Sequence, residues 1–257
     1  MLIKAKTLHG YKLECTNGEI GTVKEFVFDD KHWTIRYLVA ETGNWLMDRQ
    51  VLISPHALVS IDKETKHIAT NLTVSQIEES PSLYNDVPIS RQFESTYHDY
   101  YGFPTYWNGP YMWGTSPAIL KNNASFKAAL QGDKDLEPGL HSTYDVEGRR
   151  IHATDGEFGH IVDFIIDDEY WAIRYLIVDT INWWPSPNML ISPKWIDNIG
   201  MDDFKVYVNV KSETVKHAPE YKADAELTRE YEESLHDHYG FDNYWENPSC
   251  TETKEGE

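Results

Sequence analysis

Two pairs of adjacent carboxylates are the first residues in the sequence whose types could do chemistry. Asp29-Asp30 and Asp167-Asp168 lie 138 positions apart, and paired carboxylates can move protons in acid–base catalysis or bind Ca²⁺. A calcium loop needs several more oxygen ligands at set spacing, and none follows either pair. We therefore interpret both pairs first as turns between strands, with acid–base or calcium chemistry as the alternative.

Histidines and aspartates near the ends of two predicted helices form the second candidate site. They are His98, Asp99, His236, Asp237 and His238. If the helices met, these side chains would offer the nitrogen and oxygen ligands that Zn²⁺ or another transition metal prefers. However, His98 has no suitable ligand one turn further along its own helix, and the helix dipole favours a histidine at a C-terminus. A metal site is therefore the minor interpretation, and we expect no cofactor.

Two arginines alternate with apolar residues along predicted strands. Arg36 and Arg174 should place their guanidinium groups on the wetter face of each strand. The main interpretation is a structural ion pair with an acidic neighbour such as Glu19 or Asp29, or with the counterparts of these residues near Arg174, which include Asp167. Anion binding is the alternative.

Aromatic and apolar side chains are concentrated in segments that read as loops. They are Trp45, Leu46, Met47, Trp183 and Trp184, together with Tyr111 and Trp113 further along the chain. Some of these rings could close the end of a small barrel. The others are candidates for contact with a protein partner, because clustered Trp and Tyr anchor interfaces.

Other features of the sequence exclude several classes of function. The chain has no phosphate-binding glycine loop, nucleophile elbow, Cys-x-x-Cys or His-Glu-x-x-His motif, so we expect no enzyme. A net charge of −19 disfavours nucleic acid. Two cysteines, the absence of a leader-like N-terminus and the lack of an 18-residue apolar run predict a cytoplasmic protein without a membrane span.

The sequence repeats itself after 138 positions. Thr16-Asn17-Gly18-Glu19 returns as Thr154-Asp155-Gly156-Glu157, and the same shift relates Tyr106-Trp107 to Tyr244-Trp245. No gap is needed between these motifs. We interpret the repetition as an internal duplication.

Each repeat reads as short strands followed by one helix. Alternating apolar residues and turn dipeptides predict five or six strands without crossover helices, as in a small antiparallel barrel. Apolar residues at helical spacing predict helices over 91–101 and 229–239, capped by Ser90 and Thr228 and ended by glycines. The predicted domains are a first barrel at 1–80, its helical extension at 81–107, a linker at 108–140, a second barrel at 141–217, its extension at 218–245 and a disordered acidic tail at 246–257.

The motifs together resemble the PRC-barrel family, named for the cytoplasmic domain of the photosynthetic reaction centre H subunit. The matching residues are Asn17 to Gly21, Asp29-Asp30, Trp33 to Leu38 and Leu52 to Pro55, with Arg91, Glu94 and Tyr101 to Trp107 resembling an extension of bacterial stand-alone members, and all have counterparts in the second repeat. The resemblance implies a mainly β fold of two tandem small antiparallel PRC-type barrels, each followed by a short α-helix.

The function expected from these features is a non-enzymatic protein-interaction or assembly module whose partner the sequence does not name. The partner could also be a second copy of the chain, bound through barrel or helix faces. One alternative is a soluble accessory of a photosynthetic or electron-transfer complex, which rests on the resemblance. The other is a protein that binds a metal or small ligand through the histidines and arginines.

Overall fold

A computed structural model of the chain describes residues 1–43, 46, 49–81, 83–84, 88–107, 139–180, 188–200, 202–223 and 226–246. Its residues group into two compact modules. The N-terminal module is Leu8–Ser142, and the C-terminal module combines Met1–Thr7 with Thr143–Glu257. The first seven residues thus group with the second repeat, whereas the predicted boundaries put them in the first.

The described elements follow the same order in both repeats, apart from a two-residue strand in the first and a last 3₁₀ turn in the second. Residues 1–107 contain β1 (Leu2–Lys4), α1 (Ala5–Leu8), β2 (Lys12–Cys15), β3 (Gly18–Asp29), β4 (Thr34–Glu41), β5 (Arg49–Ile53), a 3₁₀ turn (Pro55–Ala57), β6 (Leu58–Asp62), β7 (His67–Thr70), α2 (Val74–Glu78), β8 (Leu83–Tyr84) and α3 (Arg91–Tyr101). Residues 139–246 contain β9 (Leu140–Ser142), α4 (Thr143–Val146), β10 (Arg150–Ala153), β11 (Gly156–Asp167), β12 (Ala172–Asp179), β13 (Asn188–Ile191), a 3₁₀ turn (Pro193–Trp195), β14 (Ile196–Ile199), β15 (Lys205–Val208), α5 (Ser212–Lys216), α6 (Arg229–Tyr239) and a last 3₁₀ turn (Tyr244–Glu246).

The N-terminal module is built on a mixed sheet. Its strands pair in the order β6, β7, β2, β3, β4, β5 and β8, and β9 pairs with the end of β3. β2 and β7 are parallel, and the other neighbours are antiparallel. The prediction of a closed, purely antiparallel barrel is therefore wrong: among the described strands the pairings form an open path with one parallel step. The reason is that the β6–β7 hairpin returns β7 along β2 in the same direction.

The C-terminal module has the same pattern of pairs. β10, β11, β12 and β13 are antiparallel neighbours, β14 pairs with β15, and β10 and β15 are parallel. β1 pairs with the end of β11. The fold of the described residues is thus mainly β in both modules.

One face of β4 is covered by the helix that follows the sheet. Every residue from Thr34 to Ala40 is buried, which a half-exposed strand would not show. Tyr37, Val39 and Tyr97 share a hydrophobic cluster to which Phe93 adds its ring from α3. The apolar stripe of α3 therefore closes over the sheet and removes its outer face from water.

The helix boundaries match the capping residues. α3 begins after Ser90, whose hydroxyl accepts a hydrogen bond from the amide of Phe93, and it ends at Gly102 with φ 68°. α6 begins after Thr228 and ends at Gly240 with φ 70°. Serine or threonine side chains satisfy free amides at a helix start, and glycine adopts the left-handed conformation at its end. The predicted spans 91–101 and 229–239 are confirmed.

Candidate functional site

Helix α3 carries polar side chains into the interior of the N-terminal module. Glu94 and His98 lie one turn apart on the face that meets β4, and their exposed fractions are 0% and 2%. Tyr97, on the same face, donates a hydrogen bond from its hydroxyl to the carbonyl oxygen of Leu52 at 2.9 Å. A buried carboxylate requires several partners, because its charge is otherwise costly to remove from water.

Three donors surround the carboxylate of Glu94. The hydroxyls of Tyr37 and Tyr106 donate to its Oε1 at 2.9 and 2.7 Å, and the guanidinium of Arg91 donates to Oε2 at 2.7 Å. Burial raises the pKa of Glu94, and the hydrogen bond from Tyr106 and the charge of Arg91 work against that rise. Burial also raises the pKa of Tyr37 well above its ordinary value, so its hydroxyl keeps its proton and acts as a donor.

The ring of His98 is held at both nitrogens. Its Nδ1 lies 2.9 Å from the carbonyl oxygen of Pro104, and its Nε2 lies 3.1 Å from the hydroxyl of Tyr37. A carbonyl oxygen only accepts hydrogen bonds, so Nδ1 carries the hydrogen and the neutral ring presents its Nε2 lone pair to Tyr37. Burial lowers the pKa of His98 to about 4. The single hydroxyl hydrogen of Tyr37 therefore faces two acceptors, Glu94 and His98.

Arg36 closes the cluster from β4. Its Nε donates to Oδ2 of Asp29 at 2.8 Å, and its guanidinium carbon lies 3.8 Å from the centre of the Tyr106 ring. Arg36 is 1% exposed, so the expectation that it lies on a wetter face is wrong. The Tyr106 ring, in the segment after α3, lies over the guanidinium, and local alternation along β4 does not reveal this cover. Asp29 also accepts the amide of His32 at 2.8 Å, so the same carboxylate shapes the β3–β4 turn.

The C-terminal module contains the same cluster 138 positions later. Its central carboxylate is Glu232. The hydroxyls of Tyr175 and Tyr244 donate to Glu232 at 3.0 and 2.8 Å, and the guanidinium of Arg229 lies 3.0 Å from the same carboxylate. The Nε2 of His236 lies 3.0 Å from the Tyr175 hydroxyl. Arg174 donates to Asp167 at 2.7 Å, and its guanidinium carbon lies 4.2 Å from the centre of the Tyr244 ring. A contact made twice from equivalent positions indicates an arrangement that the repeated residues specify.

The two clusters differ at their edges. Trp195 is fully buried in the C-terminal module and stacks on Tyr239 with ring centres 3.8 Å apart. The equivalent residue of the N-terminal module is Ala57, beside which His56 stacks on Phe103 at 5.5 Å. Burial lowers the pKa of His56 to about 4, and the nearby His98 adds to this effect.

The residues proposed for a metal site are not gathered around a common point within either module. Asp99, Asp237 and His238 are exposed, and His238 Nε2 lies 2.8 Å from the carbonyl oxygen of Thr214. His98 and His236 use both ring nitrogens inside their own modules. In the part of the chain that the structure describes, no group of three or more His, Cys, Asp or Glu side chains could hold a metal ion.

The aromatic interaction candidates fall almost entirely outside the described residues. Trp45, Met47, Trp183, Trp184, Tyr111 and Trp113 belong to segments that the structure does not describe. Leu46 is described and half-buried. By sequence, Trp45 and Met47 belong to the connection between β4 and β5, and the two later tryptophans belong to the equivalent connection between β12 and β13.

Sequence reasoning missed four members of the cluster, namely Tyr37, Arg91, Glu94 and Tyr106. A signal was present, because Arg91 and Glu94 recur as Arg229 and Glu232 at the i, i+3 spacing of a helical ion pair. Tyr106 and its tryptophan neighbour also recur unchanged. Residues kept in both repeats after the strands end should therefore have been expected to fold back onto the sheet.

These features define a class of protein: small mixed β modules, each sealed by one helix and a buried ionic–aromatic cluster. Residues 13–76 match the family model of the PRC-barrel domain, so this segment, from β2 to α2, is a PRC-barrel domain. A search of the curated proteins finds no match. None of the helices within the described ranges has the length and apolar character that a membrane crossing requires.

Proposed function

We propose that the chain is a non-enzymatic assembly module that binds a protein partner. The observation that carries the proposal is the internal use of the buried polar groups. The carboxylate of Glu94, the hydroxyls of Tyr37 and Tyr106 and the ring of His98 are hydrogen-bonded to one another or to the backbone. Groups that are engaged in this way stabilise a fold and are not directed toward a substrate.

The proposal extends to the second repeat, which we take to be a second PRC-type module. Its described strands pair in the same order, and its buried cluster uses equivalent residues at similar distances. Two related modules in one chain offer two related surfaces. Differences outside the core, such as the exposed Lys194 in place of the half-buried His56, make those surfaces unequal, so a partner need not be symmetric.

The proposed contact residues are the tryptophans in the segments that connect paired strands. Trp45 and Trp183 occupy equivalent positions between paired strands, and tryptophan is among the residues that contribute most to binding energy at interfaces. A net charge of −19 favours a partner with a basic surface, because opposite charges steer two proteins toward each other. The binding should therefore weaken as the salt concentration rises.

Affinity capture with matched variants tests this function. The full chain and the variant Trp45→Ser with Trp183→Ser would be used to capture proteins from an extract of the source cells. The matched control is Tyr144→Ser, which alters a side chain that is 76% exposed on α4. We expect one partner in stoichiometric amount with the natural chain and with the control, and loss of that partner with the double variant. Equal capture by all three proteins contradicts the assigned contact residues, and capture of nothing contradicts the function.

The two alternatives have weaker support. A role beside a photosynthetic or electron-transfer complex rests on family resemblance. A metal-binding role would need His98 or His236 to give up a hydrogen bond inside its module. A protein from the same capture experiment that belongs to an electron-transfer complex would favour the first alternative, and stoichiometric metal in the purified chain would favour the second.

A further inference from the structure

Each module is completed by a strand that precedes the other repeat in sequence. β1 pairs with the end of β11, where Lys4 lies opposite Ile165. β9 pairs with the end of β3, where Ser142 lies opposite Val27. Val27 and Ile165 are equivalent positions, as are Lys4 and Ser142, because 138 residues separate the members of each pair. The two pairings are therefore reciprocal.

The backbone would also allow each of these strands to pair within its own repeat, β1 with β3 and β9 with β11. β2 pairs with β3 on the same edge that receives β9, with Lys12 opposite Thr22. If Lys4 paired with Val27 of its own repeat, the chain would travel five residues along β3, about 17 Å, to reach Lys12. The intervening residues 5–11 can span that distance. Chain length does not decide between the two arrangements.

The side chains do distinguish the two acceptor strands. His141 on β9 is 8% exposed, places its Nε2 3.1 Å from Oδ2 of Asp30, and lies 5.8 Å from the Phe28 ring. The equivalent residue on β1 is Ile3, which is 5% exposed and lies opposite the buried Ile166. Closing each strand on its own repeat would replace the histidine beside Asp30 with isoleucine and would place the histidine opposite Ile166.

The residue before each strand distinguishes them further. Gly139 has φ 55°, its carbonyl oxygen accepts the amide of Asp30 at 3.0 Å, and a Cβ added to it would lie 2.5 Å from Oδ1 of Asp30. The equivalent residue before β1 is Met1, which has a Cβ. Met1 instead accepts the amide of Asp168 through its carbonyl oxygen at 3.0 Å, and its amino group pairs with the Asp168 carboxylate.

We propose that reciprocal strand exchange couples the two modules, so that the chain folds as the intramolecular counterpart of a strand-swapped dimer. Domain swapping exchanges an identical element between two copies of a fold at low cost. Here the two copies are the repeats of one chain, the exchanged elements are β1 and β9, and the hinges are residues 5–11 and 143–149. A chain cut between the repeats therefore remains one particle.

Disulfide mapping tests the exchange in the full-length chain. Cys15→Ala, which copies Ala153 of the second repeat, and Cys250→Ser remove the native thiols, and a protease site is placed within 108–138. The exchange variants are Lys4→Cys with Ile165→Cys, and Val27→Cys with Ser142→Cys. The matched controls reuse the same four positions as Lys4→Cys with Val27→Cys, and Ser142→Cys with Ile165→Cys. Cα atoms of directly paired antiparallel residues are about 4.5–5.5 Å apart, within the range that a disulfide spans.

After oxidation and proteolysis, the exchange variants should remain one band on a non-reducing denaturing gel. The controls should give two bands, and their introduced thiols should remain free to react with an alkylating reagent. A linkage in the control pairs, its absence in the exchange pairs, or a product of two chains, each of 29.8 kDa before the changes, overturns the proposal. As a second measurement, the cut chain without introduced cysteines should elute as one particle in native size-exclusion chromatography. Separation of its fragments also overturns the proposal.

Discussion

The guanidinium carbon of Arg36 lies 3.8 Å from the centre of the Tyr106 ring. Arg36 belongs to β4 and Tyr106 follows α3, so this contact joins the sheet to the segment that covers it. The same ring carries the hydroxyl that donates to Glu94. A cation over an aromatic face contributes about 0.5–1 kcal/mol at an exposed site and about 2 kcal/mol or more when water is excluded. The buried ion pair and the helix cover therefore depend on each other.

Replacing Arg36 by methionine should destabilise the N-terminal module by about 3–5 kcal/mol, because Asp29 would remain buried without its charged partner. Arg174→Met in the C-terminal module should cost less, since the Arg174 side chain is 15% exposed whereas that of Arg36 is 1% exposed. Amide hydrogen exchange of peptides from β4 and β12 reports each module separately. Equal losses in the two modules would contradict the importance of burial. Adding Asp29→Asn to Arg36→Met should recover part of the loss.

Glu94→Gln should reduce the free energy of unfolding of the N-terminal module by about 2 kcal/mol. The amide keeps an oxygen for the tyrosine hydroxyls but loses the charge that Arg91 pairs with at 2.7 Å, and hydrogen bonds to charged groups are worth about 1.5–3 kcal/mol. The control is Asp99→Asn, which neutralises an exposed carboxylate on the same helix and should change stability by less than about 0.5 kcal/mol. Urea denaturation followed by the amide signals of β4 measures both, and similar values for the two variants would argue against the cluster.

Local signals in the sequence predicted the parts of the fold that local residues determine. Ser90 and Gly102 mark the ends of α3 because capping depends on the residue itself. The parallel step between β2 and β7 and the burial of Arg36 depend on segments that lie far away in sequence, so alternation along one strand could not reveal them. The exchange of β1 and β9 is harder still, because both acceptor strands carry nearly the same pattern. Within the site, Arg36 was selected from sequence, whereas Glu94 needed the helix to be placed over the sheet.

Gly21→Ala should destabilise the N-terminal module by roughly 2–3 kcal/mol. Gly21 has φ 136°, and an added Cβ would overlap the carbonyl oxygen of Glu41 in the backbone of β4. Gly10→Ala is the matched control, because Gly10 also has a positive φ, 76°, but nothing lies within 4 Å of its added Cβ. That control should cost only the backbone strain, about 1 kcal/mol. Thermal unfolding of both variants checks the difference, and a Gly10 variant that is the less stable of the two would refute the steric explanation.

Acidification should destabilise the N-terminal module more than the C-terminal module. The folded-state pKa values of His56 and His98 are lowered to about 4 from 6.5, so the unfolded chain binds more protons between these values. Their contribution to stability is therefore complete above pH 6.5 and declines as the pH falls toward 4. The raised pKa of Glu94 acts in the opposite direction over the acidic end of this range.

The C-terminal module provides the internal control for His56, because Lys194 occupies the equivalent position. Burial lowers the pKa of His236 there, as it does for the equivalent His98. For the buried His98 alone, full protonation would cost about 3 kcal/mol, since one pKa unit corresponds to about 1.4 kcal/mol. Urea titrations at pH 7.5 and pH 5, followed by the amide signals of β4 and β12, should show the larger loss in β4. His56→Lys should bring the two modules closer together. An equal pH dependence of both modules in the natural chain would show that His56 is not the cause of a difference between them.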